Sequence, residues 1–241
     1  MWPHRLRLRS LSGHAPHSPH SESSLLRSCA LAAALSWISF AASALPLSQQ
    51  EITTLCGNAE DTAHCGRLVE EVQLKRLPNL ARRDGSALIV SLYPSGTATF
   101  KDSDDPVAGR SYSLWDFLDS INAVVLYSTA GDVTTFILVR RTTNARFDLP
   151  AEPRLSPDRQ HIVTVDVCPT QCGNEIAVWH VAPEALRKEL AWSPSAPWAD
   201  ATATWKDGNT LAIEYTAAGA DKPTVVERAL SDPAWKRVAP N

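Results

Sequence analysis

The chain lacks the short motifs that announce the commonest enzyme classes. It has no Gly-x-Ser-x-Gly elbow, no His-Glu-x-x-His, no phosphate loop and no Gly-x-Gly-x-x-Gly. These absences exclude the hydrolase, zinc-protease, P-loop and dinucleotide chemistries that depend on those spacings. Excess positive charge is also missing, with 23 Lys and Arg against 26 Asp and Glu. No basic stripe alternates with aromatics, which argues against nucleic acid as a partner. The one long apolar run, SCALAAALSWISFAASALP at residues 28–46, is short for a membrane span, which takes about 20 apolar residues. Met1 is the only methionine.

What stands around that run decides how the cysteines are read. Arg5, Arg7, Arg9 and Arg27 precede it with a single acid, Glu22, and it closes at Ala42-Ser43-Ala44 before Pro46. A basic n-region, a short apolar core and an Ala-x-Ala site make a secretory signal over residues 1–44. The Ser- and Arg-rich, acid-poor leader also suits an organelle transit peptide, but the defined apolar core and cleavage site favour export. Cys29 lies before the apolar run, not after it, so it is not a lipidation cysteine. The expected product is a single domain at residues 45–241, periplasmic or secreted, with no membrane span after cleavage. It carries 19 basic and 25 acidic residues, a net charge of −6.

Cleavage leaves Cys56, Cys65, Cys168 and Cys172. An even number in an exported chain reads as disulfides, with three possible connectivities. Sequence closeness favours Cys56–Cys65 and Cys168–Cys172. In VDVCPTQCGNEIAVWHV, two alternating runs read as strands, with Pro169-Thr170-Gln171 as the turn. That pairing sets Cys168 opposite Cys172, within disulfide reach. It also puts His180 and Asp166 on one face and His161 on the other. A redox pair would have Cys-x-x-Cys spacing, and a four-cysteine zinc site two close pairs; the spacings here fit staples better.

The domain divides into a helical cap at residues 45–83 and a β body at 84–241. Ser48-Gln49-Gln50-Glu51 is a capping box, and Gly57 is placed to end the helix it opens. A second helix is expected from about Glu60 to Arg76, burying Cys65, Leu68, Val69 and Val72. Cys56–Cys65 would tie the two into a hairpin; His64 reads as a solvated helix residue. From Asp84 onward, short apolar or alternating runs between turns indicate antiparallel strands. YSLWDFLDSIN at 112–122 suits a strand or a helical turn.

Asp84-Gly85, Asp158-Arg159 and Asp207-Gly208 each precede an apolar strand by two residues, at intervals of 74 and 49. Leu155-Ser156-Pro157-Asp158 resembles the SPDG-type turn of bacterial exported β-propeller proteins, with Arg159 where the turn glycine would stand. The resemblance spans residues 84–241, room for at most about four blades. It implies a mainly β body of antiparallel hairpins in a propeller-like arrangement, open or incomplete at this length, to which the residues at 45–83 add an N-terminal helical hairpin as a cap. For function it implies a scaffold or binding surface.

Side chains with chemistry are sparse. Only His64, His161 and His180 follow the leader, and Ser156 sits in a turn, so a Ser-His-Asp triad is not indicated. Asp102, Asp104 and Asp105 alternate as in a calcium loop, but Val107 and Ser113 occupy the positions where an EF-hand needs Gly and Glu. Trp192, Trp198 and Trp205 crowd a Pro- and Ser-rich stretch; Trp192 and Trp198 are the candidate ligand-binding residues, since loop tryptophans supply binding hot spots. Neither a metal nor a cofactor is indicated. The leading expectation is a non-catalytic binding or interaction module contacting a cell-envelope polymer or protein. A carboxylate-based hydrolase and a purely structural envelope component are the alternatives.

Overall fold

The computed structural model describes residues 46–105, 109–131, 133–168 and 173–239. The expected leader, the 169–171 turn and Cys172 lie outside them.

The chain starts with two helices, α1 (Gln49–Cys56) and α2 (Thr62–Arg76). Ser48 and Glu51 form the reciprocal capping box that opens α1, and Gly57 closes it. Asp61 caps α2 by accepting the His64 N–H at 2.7 Å, and Lys75 and Arg76 occupy the last turn, where the helix dipole favours cations. Cys56 and Cys65 are disulfide-bonded with Cα atoms 4.8 Å apart, so the expected staple joins the helices. No helix of the described residues is long and apolar enough to cross a membrane.

The rest is mainly β, in four antiparallel sheets taken from the chain in order. The first holds β1 (Ala81–Asp84), β2 (Ala87–Ser91) and β3 (Thr97–Lys101). The second holds β4 (Ser111–Leu118), β5 (Ala123–Ala130), β6 (Val133–Arg140) and β7 (Arg146–Leu149). The third holds β8 (Arg154–Leu155), β9 (His161–Asp166), β10 (Glu175–Val181) and β11 (Leu186–Trp192). The fourth holds β12 (Trp198–Trp205), β13 (Thr210–Ala217) and β14 (Thr224–Ala229). The last strand, β15 (Lys236–Arg237), returns to pair with β11. The β body thus begins at Ala81, slightly before the expected boundary, and the ambiguous 112–122 segment is strand β4 followed by one 3-10 turn.

Side-chain parity explains how the sheets pack. Along β5, Val124 and Leu126 join a core with Leu88, Val90 and Phe100 of the first sheet. Ala123, Val125 and Tyr127 point the other way, into a core with Val69 of α2 and Ile162 of the third sheet. An unbroken apolar run such as AVVLY is what a strand buried on both faces requires. A third core joins Val163, Ile176 and Val178 to Leu211 and Ile213 of the fourth sheet. The cores therefore link the sheets in series, and among the described residues the series closes into neither a barrel nor a propeller.

Two expectations are corrected. Of the stripe expected on α2, Val69 alone is fully buried; its companions are Gly66, Glu70 and Gln73. The reason is that α2 lies along β4, an edge strand, and its polar residues complete that strand's hydrogen bonding. Gln73 Nε2 donates to Trp115 O at 2.6 Å, and Glu70 accepts the Leu114 N–H at 2.9 Å. A strand edge covered in this way cannot pair with another chain.

The second correction is a register. Glu175 pairs with Asp166 and His180 with His161. The pairing is one residue off that expected from the cysteines, and Asn174, just before β10, has φ 49°. A one-residue slip moves every side chain to the opposite face. His161 and His180 therefore share a face, and Asp166 lies on the other. Cys168 is disulfide-bonded.

Candidate functional site

That register assembles the principal side-chain cluster. His161 opens β9, and His180 stands across from it on the central strand β10. Their rings are 5.8 Å apart at 65°. In β11, Leu190 pairs with Val178 and Lys188 with Trp179, which leaves Glu189 as the extra residue of a β-bulge. A bulge re-aims the side chain it carries, and here Glu189 Oε2 comes within 3.9 Å of His161 Nε2. One ligand atom from each of the three residues lies within 4.8 Å of the others.

The surroundings hold His161 firmly. Its backbone N–H donates to Ser156 Oγ at 2.9 Å, and its carbonyl accepts the Ser156 N–H at 2.8 Å. The Trp205 ring from β12 lies 6.2 Å from the imidazole. Burial pushes the His161 pKa down, with His180 adding to the effect and Asp158 and Glu189 opposing it. The ring is accordingly neutral near pH 7, with a lone pair free to act as a ligand or base. Its Nδ1 is buried with no hydrogen-bond partner.

The tryptophans serve elsewhere. Trp198 is only 5 % exposed, stacked on Tyr215 at 4.1 Å, inside the core between the third and fourth sheets. It is not presented to solvent as a ligand platform. Trp192 is half-buried, edge-on to Trp198 at 5.0 Å, with the Arg228 guanidinium 4.0 Å over its ring. Both residues lie at strand ends, not in the Pro- and Ser-rich loop between them.

The acidic stretch after β3 is divided. Asp102 belongs to a clamp in which Arg67 and Arg83 each pair with both Glu70 and Asp102. The same four side chains grip β4: Asp102 accepts the Tyr112 N–H at 2.9 Å, and Arg67 donates to Tyr112 O at 2.7 Å. Asp104 lines an open depression of about 890 Å³ with Asp61, Arg67, Ser103 and Arg110. His64 also has a structural task, its Nδ1 accepting the Glu60 N–H at 3.2 Å.

Sequence reasoning missed the His161–His180–Glu189 cluster. Both histidines were visible, but their shared face depended on the register, and Glu189 reaches them only through the bulge. The strand-start position of His161, five residues after the Ser156 turn, was the usable signal. Set against protein-family models, curated proteins and solved structures, the chain matches none.

Proposed function

We propose that the protein is an exported, disulfide-stapled binding module of the cell envelope, not an enzyme, whose sheets form an open, propeller-like stack. The leader composition, the Cys56–Cys65 bond and the disulfide at Cys168 support the compartment. The serial order of the four sheets supports the stack, as does the abutment of two related turns: a Cβ on Gly208 would meet Asp158 Oδ2 at 2.6 Å.

One observation carries the binding role. The clamp residues Arg67, Glu70, Arg83 and Asp102 are consumed in holding β4, whereas His161, His180 and Glu189 converge without any hydrogen bond between their side chains. This junction is the binding site, and an envelope polymer or protein is the partner it serves. A purely structural component would have no reason to gather these groups.

The test has two parts. Protein recovered from the expressing cell is weighed intact, with and without reduction and alkylation. A chain beginning at Leu45 that takes label only after reduction supports export; a retained leader with free thiols overturns it. A thermal-shift screen against envelope polysaccharides and peptidoglycan fragments then looks for a ligand that raises Tm in the wild type and not in His180→Ala. Turnover of such a polymer would overturn the non-catalytic reading.

A second reading, a carboxylate-based hydrolase, is favoured by Asp116. Burial pushes its pKa up, the Phe117 backbone hydrogen bond and the Arg76 charge oppose this, and the charges of Glu152 and Asp119 add to it. A carboxyl with a raised pKa beside a second acid is the kind of pairing by which glycosidases divide acid and base roles. Loss of polymer hydrolysis in Asp116→Asn would establish it.

A further inference from the structure

We propose that His161, His180 and Glu189 bind a divalent transition metal ion of the zinc type, one per chain, with a fourth coordination position open. The inference rests on the binding-module reading and names the ligand of its site.

Three features of the cluster carry it. The donor set is two imidazoles and one carboxylate, which suits zinc and its late first-row neighbours; calcium and magnesium take oxygen ligands. The spacing is close to what such an ion demands. Tetrahedral zinc with bonds of about 2.0–2.1 Å holds its ligand atoms roughly 3.3–3.4 Å apart. The three ligand atoms already lie within 4.8 Å of one another, so side-chain adjustments well under the length of one rotamer change close the site. Finally, the positions are rigid. His161 and His180 are a direct cross-strand pair on β9 and β10, and the Glu189 backbone carbonyl accepts the Val238 N–H at 2.8 Å. Ligands fixed on paired strands are held more precisely than ligands on loops.

The imidazole of His161 has no competing task. Its Nδ1 is buried without a partner, and its Nε2 stands 3.9 Å from Glu189, beyond hydrogen-bond distance. Most buried side-chain nitrogens are hydrogen-bonded, so a half-buried structural histidine with neither ring nitrogen bonded would be unusual. Glu189, the most exposed of the three at 47 %, marks the side from which an ion enters.

The experiment is calorimetric titration of the protein recovered from the expressing cell with zinc chloride, followed by cobalt(II) as a visible probe. The expected result is one saturable site, and cobalt d–d bands of four- or five-coordinate intensity. His64 is the one other histidine after residue 44, so the readout is the difference between wild type and variants. His161→Ala, His180→Ala and Glu189→Gln should each weaken binding by about tenfold or more, and His64→Ala should not. Circular dichroism checks that each variant is folded; Glu189→Gln, at an exposed position, keeps the test valid if a histidine variant is not. Unchanged affinity in folded Glu189→Gln and His180→Ala, or no saturable zinc site below about 100 μM, overturns the proposal. A zinc failure combined with His180-dependent polymer binding would remove only the metal. A retained leader with intact zinc binding would remove only the exported-module reading.

Discussion

Glu70 Oε2 accepts the Leu114 backbone N–H at 2.9 Å, so a helix side chain stands where the next strand of the sheet would otherwise be. The same carboxylate takes two hydrogen bonds from Arg83, at 2.8 and 2.6 Å, and is almost wholly buried. Truncation would leave the Leu114 N–H without its acceptor and two guanidinium groups sharing Asp102 as their remaining carboxylate. Glu70→Ala is expected to cost about 3–5 kcal/mol, and Glu70→Gln less, because the amide oxygen still reaches Leu114. Urea unfolding monitored by tryptophan fluorescence measures both. A cost below about 1 kcal/mol for the alanine variant would show the clamp to be ornamental.

Gly66 sits one turn before Glu70, on the face of α2 that meets the sheet. A Cβ there would lie 2.7 Å from Tyr127 Cδ1 and 2.9 Å from Ser113 Oγ. Helix propensity alone would make Gly66→Ala stabilising by about 1 kcal/mol. Overpacking against a ring already stacked on Trp115 costs about 1–3 kcal/mol, and should win. A lowered thermal midpoint is expected; a raised one would mean that the helix moves away freely.

The Cys56–Cys65 bond closes a short loop, with a sequence separation of 9. Chain entropy assigns such a crosslink about 2–3 kcal/mol. The double variant Cys56→Ala/Cys65→Ala should lose that amount in denaturant titration yet still fold, because α2 remains anchored by Val69, Glu70 and Gln73.

Arg159 adopts φ 64°, in the left-handed region that glycine occupies without strain. Placing a side-chain-bearing residue there costs about 1–2 kcal/mol. Arg159→Gly should raise stability by roughly 0.5–1 kcal/mol after the added freedom of the unfolded chain is subtracted. Thermal unfolding of the two proteins decides; a decrease would mean that the Arg159 side chain contributes more than its backbone strain removes.

Asp116 has its pKa raised, chiefly by burial, above the ordinary 3.8. A raised carboxyl holds its proton better folded than unfolded. The stability it contributes is therefore full below pH 3.8 and is lost as pH rises through the folded-state value. Asp116→Asn should exceed the wild type in stability near pH 7, with the gap closing toward pH 3. A gap independent of pH would show that ionisation of Asp116 is not what separates them.

Local chemistry was readable from the chain. The Ser48–Glu51 capping box, the Cys56–Cys65 pairing of adjacent helices and the strand pair about Gly131 each depend on residues a few positions apart. Their geometry is set by short-range sterics and hydrogen bonding, whatever surrounds them. The unbroken apolar run of β5 announced a strand, and the mainly antiparallel body followed from the hairpin spacing.

Partnership between distant segments was decided only in three dimensions. Glu70 and Gln73 are polar and read as solvent-facing until α2 lies on the open edge of β4, whose unpaired N–H and C=O groups make polar side chains the better neighbours. Trp198, set beside a Pro- and Ser-rich stretch, resembled a surface residue until the fourth sheet that carries it packed against the third. His161, His180 and Glu189 depend on a register one residue off the expected pairing and on a bulge, and neither leaves a mark in composition or periodicity. Sequence determined the elements because each is stabilised by its own neighbours; tertiary structure decided the site because it draws on three strands whose alignment only packing on both faces can set.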